Sequence, residues 1–439
     1  MNNHRLLTGL LLTAIVSGGV CAVGQNRRVM TIETLFEIAE TNSIQLRPYF
    51  TAEQEAIQEV EVAHTNRLPD INTSLSLSYI GDGFTTKRDF SDYQRAPIPH
   101  FGSGLSVNVT QPVYTGGAVT AGIELAELKS TAARYSTDLQ RDNIRLRLAG
   151  LYLDIYKFDN LRGVVESNIK NARSVLAQMN ARFEQGVALQ NDITRYELLL
   201  SNLELQLVKI NNNLDILNRN LVLTAGLPEG TVIVPDSTIL ARSLPCEPES
   251  TWQSDAVANS SALKLARSGV DISRKAESLV KSERLPKIGL QAGWTLDGPI
   301  LVEVPPINRN LSYWYVGVGV SYNLSSLYKN NRSLSKSRIA TRKAIDNLEA
   351  ATQNVSLGIN ADYIHYIEAY DELKTQEKSV ELADCNYMTT STRFQADMAL
   401  LTDMIDAANS KLDAEQQLVN ARINIIYYYY KLLFTSGKI

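Results

Sequence analysis

From Ile144 to Leu221 an apolar residue returns every three or four positions, pauses at Gly186 and resumes. Ile144, Leu148, Leu151, Ile155, Phe158, Val165, Ile169, Ala172, Leu176, Met179 and Phe183 form the first run, with Arg162 as its one polar member. Leu203, Leu207, Ile210, Leu214, Leu217 and Leu221 form the second. A 3.5-residue repeat held this long keeps one stripe on a partner only if the helices supercoil left-handedly, so the pattern predicts a long helical hairpin. Its first arm, Ala118 to Gln185, contains no proline. It would rise about 100 Å at 1.5 Å per residue, which suits spanning a distance better than closing a core.

The period changes to two after Pro69. Leu75, Leu77 and Tyr79 alternate with serines, and past a polar loop Leu105, Val107 and Val109 alternate with Ser106, Asn108 and Thr110. Further on, Ile288, Leu290, Ala292 and Trp294 precede Trp314, Val316, Val318, Val320 and Tyr322, which stand opposite Tyr315, Gly317, Gly319 and Ser321. These are strands with one greasy and one polar face.

The order repeats. Arg67-Leu68-Pro69-Asp70-Ile71 returns as Arg284-Leu285-Pro286-Lys287-Ile288, and Arg182-Phe183 returns as Arg393-Phe394. Ala188-Leu189 returns as Ala399-Leu400, Asp192 as Asp403, and Thr224-Ala225-Gly226 as Thr435-Ser436-Gly437. The chain is a tandem duplication. A first repeat is expected over 25–226, with a helix from Thr31 to Arg67 interrupted at Pro48, strands near 70–81 and 103–114, and a hairpin over 118–226. Residues 227–250, with four prolines between Leu227 and Glu249, read as a linker. The second repeat, 251–439, has strands near 287–297 and 312–324 and a hairpin over 326–437.

Composition narrows the function. Lys and Arg number 43 against 47 Asp and Glu, a formal net charge of −4, which gives no basic footprint for nucleic acid. Arg5, the apolar run Leu6 to Val20 and the small residues Ala22-Val23-Gly24 form an export signal over 1–24, with Cys21 leaving lipid attachment open. Cys246 and Cys385 stand singly and the four histidines are scattered, so no disulfide framework, metal-ligand spacing or cofactor site is expected. No nucleophile stands beside a base, so an enzyme is not expected.

The alternating segments allow a soluble sheet on a core or a membrane barrel. Each is about ten residues long with aromatics near its ends (Tyr79, Tyr114, Trp294, Trp314, Tyr322), as in the girdles of membrane barrels. Leu105, Val107, Val109, Trp314, Val316, Val318 and Val320 would then face lipid. In lipid only a closed barrel leaves no backbone edge unpaired. Four strands cannot close one, so several protomers must share a barrel, and three would supply twelve strands.

On the duplicated helix, strand, strand, long-hairpin order, the paired Arg-Leu-Pro strand starts and the two hairpin turns, the mature chain resembles the TolC-type outer membrane efflux proteins over essentially its whole length. The resemblance implies a mixed α+β membrane protein: a homotrimer with a shared twelve-stranded β-barrel in outer membrane lipid, a periplasmic barrel of twelve helices, and an equatorial layer from segments like 227–249. Thr402-Asp403-Met404-Ile405-Asp406-Ala407 is similar to the family's gate pattern, which implies a ring of carboxylates from Asp403 and Asp406 at the periplasmic entrance. Two family-pattern positions differ here: the second turn has Asp397 in place of glycine, and Ala399 in place of a basic residue. The tips, Gly186, Val187, Ala188 and Leu189 in one hairpin and Met398, Ala399 and Leu400 in the other, would contact a periplasmic adaptor, which joins the channel to an inner membrane pump of the RND or ABC type. The implied function is passive export of drugs or other small molecules. A type I protein-secretion outlet of the same family and an exported coiled-coil protein or adhesin without a pore are the alternatives. Six unclustered methionines argue against a copper outlet.

Overall fold

The computed structural model describes residues 26–186, 189–236, 238–239, 244–245, 247–303, 306–396 and 398–439. The export signal with Cys21, and also Val187, Ala188, Cys246 and Asp397, lie outside the described residues.

The first copy opens with strand β1 (Asn26–Met30) and helix α1 (Ile32–Asn42), whose N-terminus is capped by the Thr31 hydroxyl accepting from the Thr34 amide at 3.3 Å. Pro48 does not interrupt a helix. Proline lacks an amide hydrogen, which costs nothing in a first turn, and it stands in the opening turn of a separate helix, α2 (Arg47–Thr65). Strand β2 (Asp70–Tyr79) follows, then the loop hairpin of β3 (Gly83–Thr85) and β4 (Gln94–Ala96), then β5 (Phe101–Tyr114). The helical hairpin is α3 (Ala118–Glu184) and α4 (Gln190–Ala225).

Between the copies, β6 (Thr231–Pro235) pairs in parallel with β1, so part of the expected linker is a strand. The second copy runs α5 (Glu249–Asn259), α6 (Ser261–Ser282), β7 (Lys287–Gly298), β8 (Leu311–Ser321), α7 (Ser326–Gln395) and α8 (Leu401–Ser436).

The duplication has a physical signature at the hairpin ends. Gly226 and Gly437 follow α4 and α8 with φ of 72° and 76°, the left-handed conformation that closes a helix C-terminus and that glycine adopts without a Cβ clash. The next amides, of Leu227 and Lys438, donate back to Val222 and Leu433. A Cβ on either glycine would strike the last residue of a short helix, Asn42 of α1 or Asn259 of α5. Each copy therefore docks its long hairpin on its own short helix through a glycine.

Helices α4 and α8 are about half as long as the arms they pair with, so they cover only the tip half of α3 and α7. Toward the sheet, α2 and α6 replace them: α2 packs on α3, and α6 lies between α3 and α7. The result is one layer of helices with α3, α6 and α8 inside it and with α2, α4 and α7 at its margins. The seam residues Ile144, Leu148, Ile155, Val165, Ile169, Ala172 and Met179 are buried, as are Leu203, Ile210 and Leu221 opposite. Two seam positions differ. Leu161 is buried where Arg162 was expected, while the Arg162 side chain is 38% exposed and pairs with Asp159; Phe183, near the tip, is 42% exposed.

An equatorial layer crosses one face of the helices. Ile32, Leu35 and Ala39 of α1 and Ile233 of β6 pack on Leu148, Tyr152 and Ile155 of α3 and on Tyr430 of α8. Trp252 and Ala256 of α5 pack on Ile359 and Tyr366 of α7 and on Leu432 of α8. The Tyr152 hydroxyl ties this layer to the arm, donating to the Met30 carbonyl at 2.8 Å and accepting from the Asp236 amide at 2.7 Å.

Candidate functional site

The four long strands form one antiparallel sheet in the order β2-β5-β7-β8, so the hairpins of the two copies are joined through β5 and β7 while β2 and β8 remain free edges. The register sorts side chains into rows. Thr73, Val107, Trp294 and Trp314 form one row, and Ile71, Val109, Ala292 and Val316 form the next on the same face. Asn72, Asn108, Gly293 and Tyr315 form a row on the other face, beside Asp70, Thr110, Gln291 and Gly317. Leu105, Val107, Val109, Trp314, Val316, Val318 and Val320 thus share one face, and among the described residues no helix packs across it. The valines of β8 are 67–70% exposed and Trp314 is 74% exposed.

The polar face is tied across strands. Ser74 and Ser106 hydrogen-bond through their hydroxyls at 2.8 Å, and the Tyr315 hydroxyl donates to Asn108 Oδ1 at 3.4 Å. The Tyr315 ring covers Gly293, where a Cβ would lie 2.5 Å from it, which accounts for a glycine in mid-strand. Among the described residues, no helix is long and apolar enough to cross a membrane.

At the far end of the molecule, α3 ends at Glu184, and Gly186, with a φ of 74°, turns the chain toward α4. Leu189 beyond it is 69% exposed, and Met398 and Leu400 of the second tip are each 70% exposed. The second turn closes without a described glycine: the Met398 amide donates to the Arg393 carbonyl at 2.8 Å. A cross-link that the sequence pattern did not reveal joins the tips. The Arg182 guanidinium donates to the carbonyls of Phe394 and Gln395 at the C-terminus of α7, where a cation is favoured by the helix dipole. A second such link lies higher: Lys411 of α8 pairs with Asp384 of α7 and lies 3.8 Å from Glu415, which accepts from Asn168 of α3 at 3.0 Å. The only hint in the sequence is the Lys411 and Glu415 spacing of four on one helix.

Asp403 stands in the first turn of α8 and accepts a hydrogen bond from the Leu400 amide at 3.1 Å. Asp406 is one turn further along. Both are exposed, while Met404 and Ala407 between and beyond them are buried. Asp406 lines a groove of about 440 Å³ between α4 and α8, together with Arg195, Asn202, Gln206, Thr402 and Asn409. Within one chain the two aspartates therefore lie on a solvated helix face near the tip.

Tyr152 is 1% exposed, and desolvation pushes its phenol up to about 12. Asp362 of α7, 3% exposed, is held by Lys431 Nζ at 2.9 Å and by the Thr435 hydroxyl at 2.8 Å, both from α8.

A long duplicated hairpin, a four-stranded sheet with two unpaired edges and an equatorial band define the protomer of an outer membrane channel whose helices enter the periplasm. The chain belongs to the outer membrane efflux protein family, whose model matches residues 35–227 and 252–427 and so covers both copies. It is 24% identical over 412 residues to the outer membrane protein TolC of Vibrio cholerae, across 92% of this chain and 91% of that one. Its fold is that of the outer membrane protein VceC of Vibrio cholerae (TM-score 0.77, 15% identity, 92% of this chain and 96% of that chain). The open-state outer membrane channel MtrE of Neisseria gonorrhoeae is also similar (TM-score 0.73, 13% identity, 92% and 88%). The protein is thus a bacterial outer membrane protein of the efflux class.

Proposed function

We propose that three copies close into one channel that passively exports drugs or other small molecules, delivered by an inner membrane pump through a periplasmic adaptor, with no reaction catalysed. The observation that carries this reading is where the protomer is unfinished. On one side β2 is an unpaired edge, α2 buries no residue, and α4 exposes Leu198, Leu205, Val208 and Ile216. On the other side β8 is unpaired and α7 exposes Leu327, Tyr328, Ile339, Leu357 and Leu382. A head-to-tail contact between unlike sides repeats around an axis, and it closes when the rotation does. Three copies complete a twelve-stranded barrel with no edge left in lipid. The equatorial layer occupies one face of the helices, so the uncovered face turns inward and lines the lumen.

The exposed apolar residues at the tips, Leu189, Met398 and Leu400, fit a surface for adaptor helices. Ala399→Glu places a charge in that surface without entering the helical seam. Drug accumulation in cells carrying the variant should rise to the level of a strain lacking the protein, while the detergent-extracted particle keeps the mass of three chains. Normal efflux by the variant removes the tips from docking, and a wild-type particle of any other stoichiometry overturns the trimer.

A further inference from the structure

The uncovered face of α3 and α8 carries a groove of about 390 Å³ at the depth of the equatorial layer. By 3.6 residues per turn, Arg147, Gly150, Asp154 and Lys157 share one side of α3, while Tyr152, bonded to β1 and the Asp236 amide, points to the opposite side. On α8 the same holds: Tyr429 and Tyr430 meet Trp252 and Phe36 of the layer edge to face, and Asn424 and Tyr427 line the groove.

Two properties set this groove apart from an ordinary solvated surface. Neither Arg147 nor Lys157 forms an ion pair among the described residues; Lys157 Nζ lies 5.7 Å above the Phe158 ring. Ten residues of helix separate the two cations by about 15 Å. Asp154, between them, is the groove's own carboxylate, half-buried, with its acidity weakened by desolvation against the opposing charge of Lys157. Between the cations Tyr427 also lies over Gly150, where a Cβ would be 3.7 Å from the ring, and Ile423 and Leu151 stand beside it. The cations are also not a feature of the duplicated framework. By the alignment that sets Arg182 against Arg393, their counterparts are Gly358 and Glu368, and that of Asp154 is His365. His365 is already engaged, stacked on Tyr428 and 3.1 Å from Glu368.

We infer that the α3–α8 groove is a cargo-binding subsite of the lumen for amphipathic aromatic anions, with Arg147 or Lys157, one at either end, taking a sulfonate or carboxylate and Tyr427 the flat apolar body. The inference rests on the trimeric channel reading, which turns this face inward and repeats the groove around the axis. It deepens that reading by naming a substrate class.

The probe is 2-naphthalenesulfonate, with 2-naphthylmethylammonium as its cationic counterpart. Equilibrium dialysis against detergent-extracted wild-type trimers should show one sulfonate bound per chain and much weaker binding of the ammonium. Arg147→Gln with Lys157→Gln should lower sulfonate affinity about tenfold or more, Tyr427→Ala should lower it with the charges intact, and Arg147→Lys should restore part of the loss when paired with native Lys157. In bilayers, current block by the sulfonate should weaken in the same order. Equal sulfonate binding by wild type and the double glutamine variant, or a preference for the ammonium, overturns the subsite while leaving the channel intact. Absence of any current from wild-type trimers overturns the channel reading and the inference with it.

Discussion

Tyr152 shows how much a single hydroxyl carries in this fold. It satisfies the Met30 carbonyl and the Asp236 amide, two groups on segments of the equatorial layer. Tyr152→Phe would leave both without that partner at a cost of about 1–3 kcal/mol, read as a lower midpoint of thermal unfolding followed by helical circular dichroism. The same residue predicts a pH effect. Its folded-state value is raised from 10.0 to about 12, so the folded protein holds the proton more tightly than the unfolded chain does. Its contribution is complete below about pH 10 and lost as pH rises through 12. Tyr152→Phe should therefore flatten the alkaline fall in stability; an unchanged profile would assign that fall to other groups. Little of this was legible in the sequence, because Tyr152 lies just off the seam between Leu151 and Ile155, and its partners are remote in the chain. Gly186 was legible, because a glycine ending a long periodic run has few other physical reasons to be there.

At the scale of elements, what repeats locally was readable and what pairs at a distance was not. The heptad seam and the period-two strands announce themselves within a window of ten to twenty residues, and the two long hairpins and four long strands match them closely. The parallel pair of β1 and β6 escaped because neither Arg27-Arg28-Val29-Met30 nor Thr231-Val232-Ile233-Val234 alternates, and each takes its meaning from a partner remote in the chain. The substitution of Leu161 for Arg162 in the seam has a related cause: a strict four-three count cannot show where α3 shifts from facing the equatorial core to facing α4. The sheet supplies a direct test of facing. Val318→Arg should cost about 2–4 kcal/mol per copy if that face meets the bilayer interior, and three copies act together. Gly317→Arg lies on the opposite face, where a new Cβ meets nothing within 4 Å. Detergent-stable trimers should be lost from the outer membrane in the first variant and retained in the second. The reverse result would invert the sheet.

At the scale of the whole molecule, the protomer makes physical sense only as a part. Its sheet has two open edges, its helical layer has two apolar margins, and its gate candidates are exposed on one chain. In the proposed trimer each of these would become a feature: closed barrel, closed helical wall, and a ring of six carboxylates from Asp403 and Asp406. Rings of acidic side chains favour cations in a pore, and their oxygens attract divalent ions. Asparagine at both positions keeps the size of the side chains and an oxygen to accept from the Leu400 amide, so the start of α8 should survive the change. The measurement that reaches the central claim most directly is the single-channel conductance of purified wild-type protein and of the Asp403→Asn, Asp406→Asn variant in planar bilayers. Wild type should give discrete cation-preferring currents blocked by divalent ions from the periplasmic side, and the variant should conduct with both properties largely lost. Wild-type trimers that insert yet pass no current would contradict the channel, and a double variant that keeps cation preference and divalent block would place the gate elsewhere.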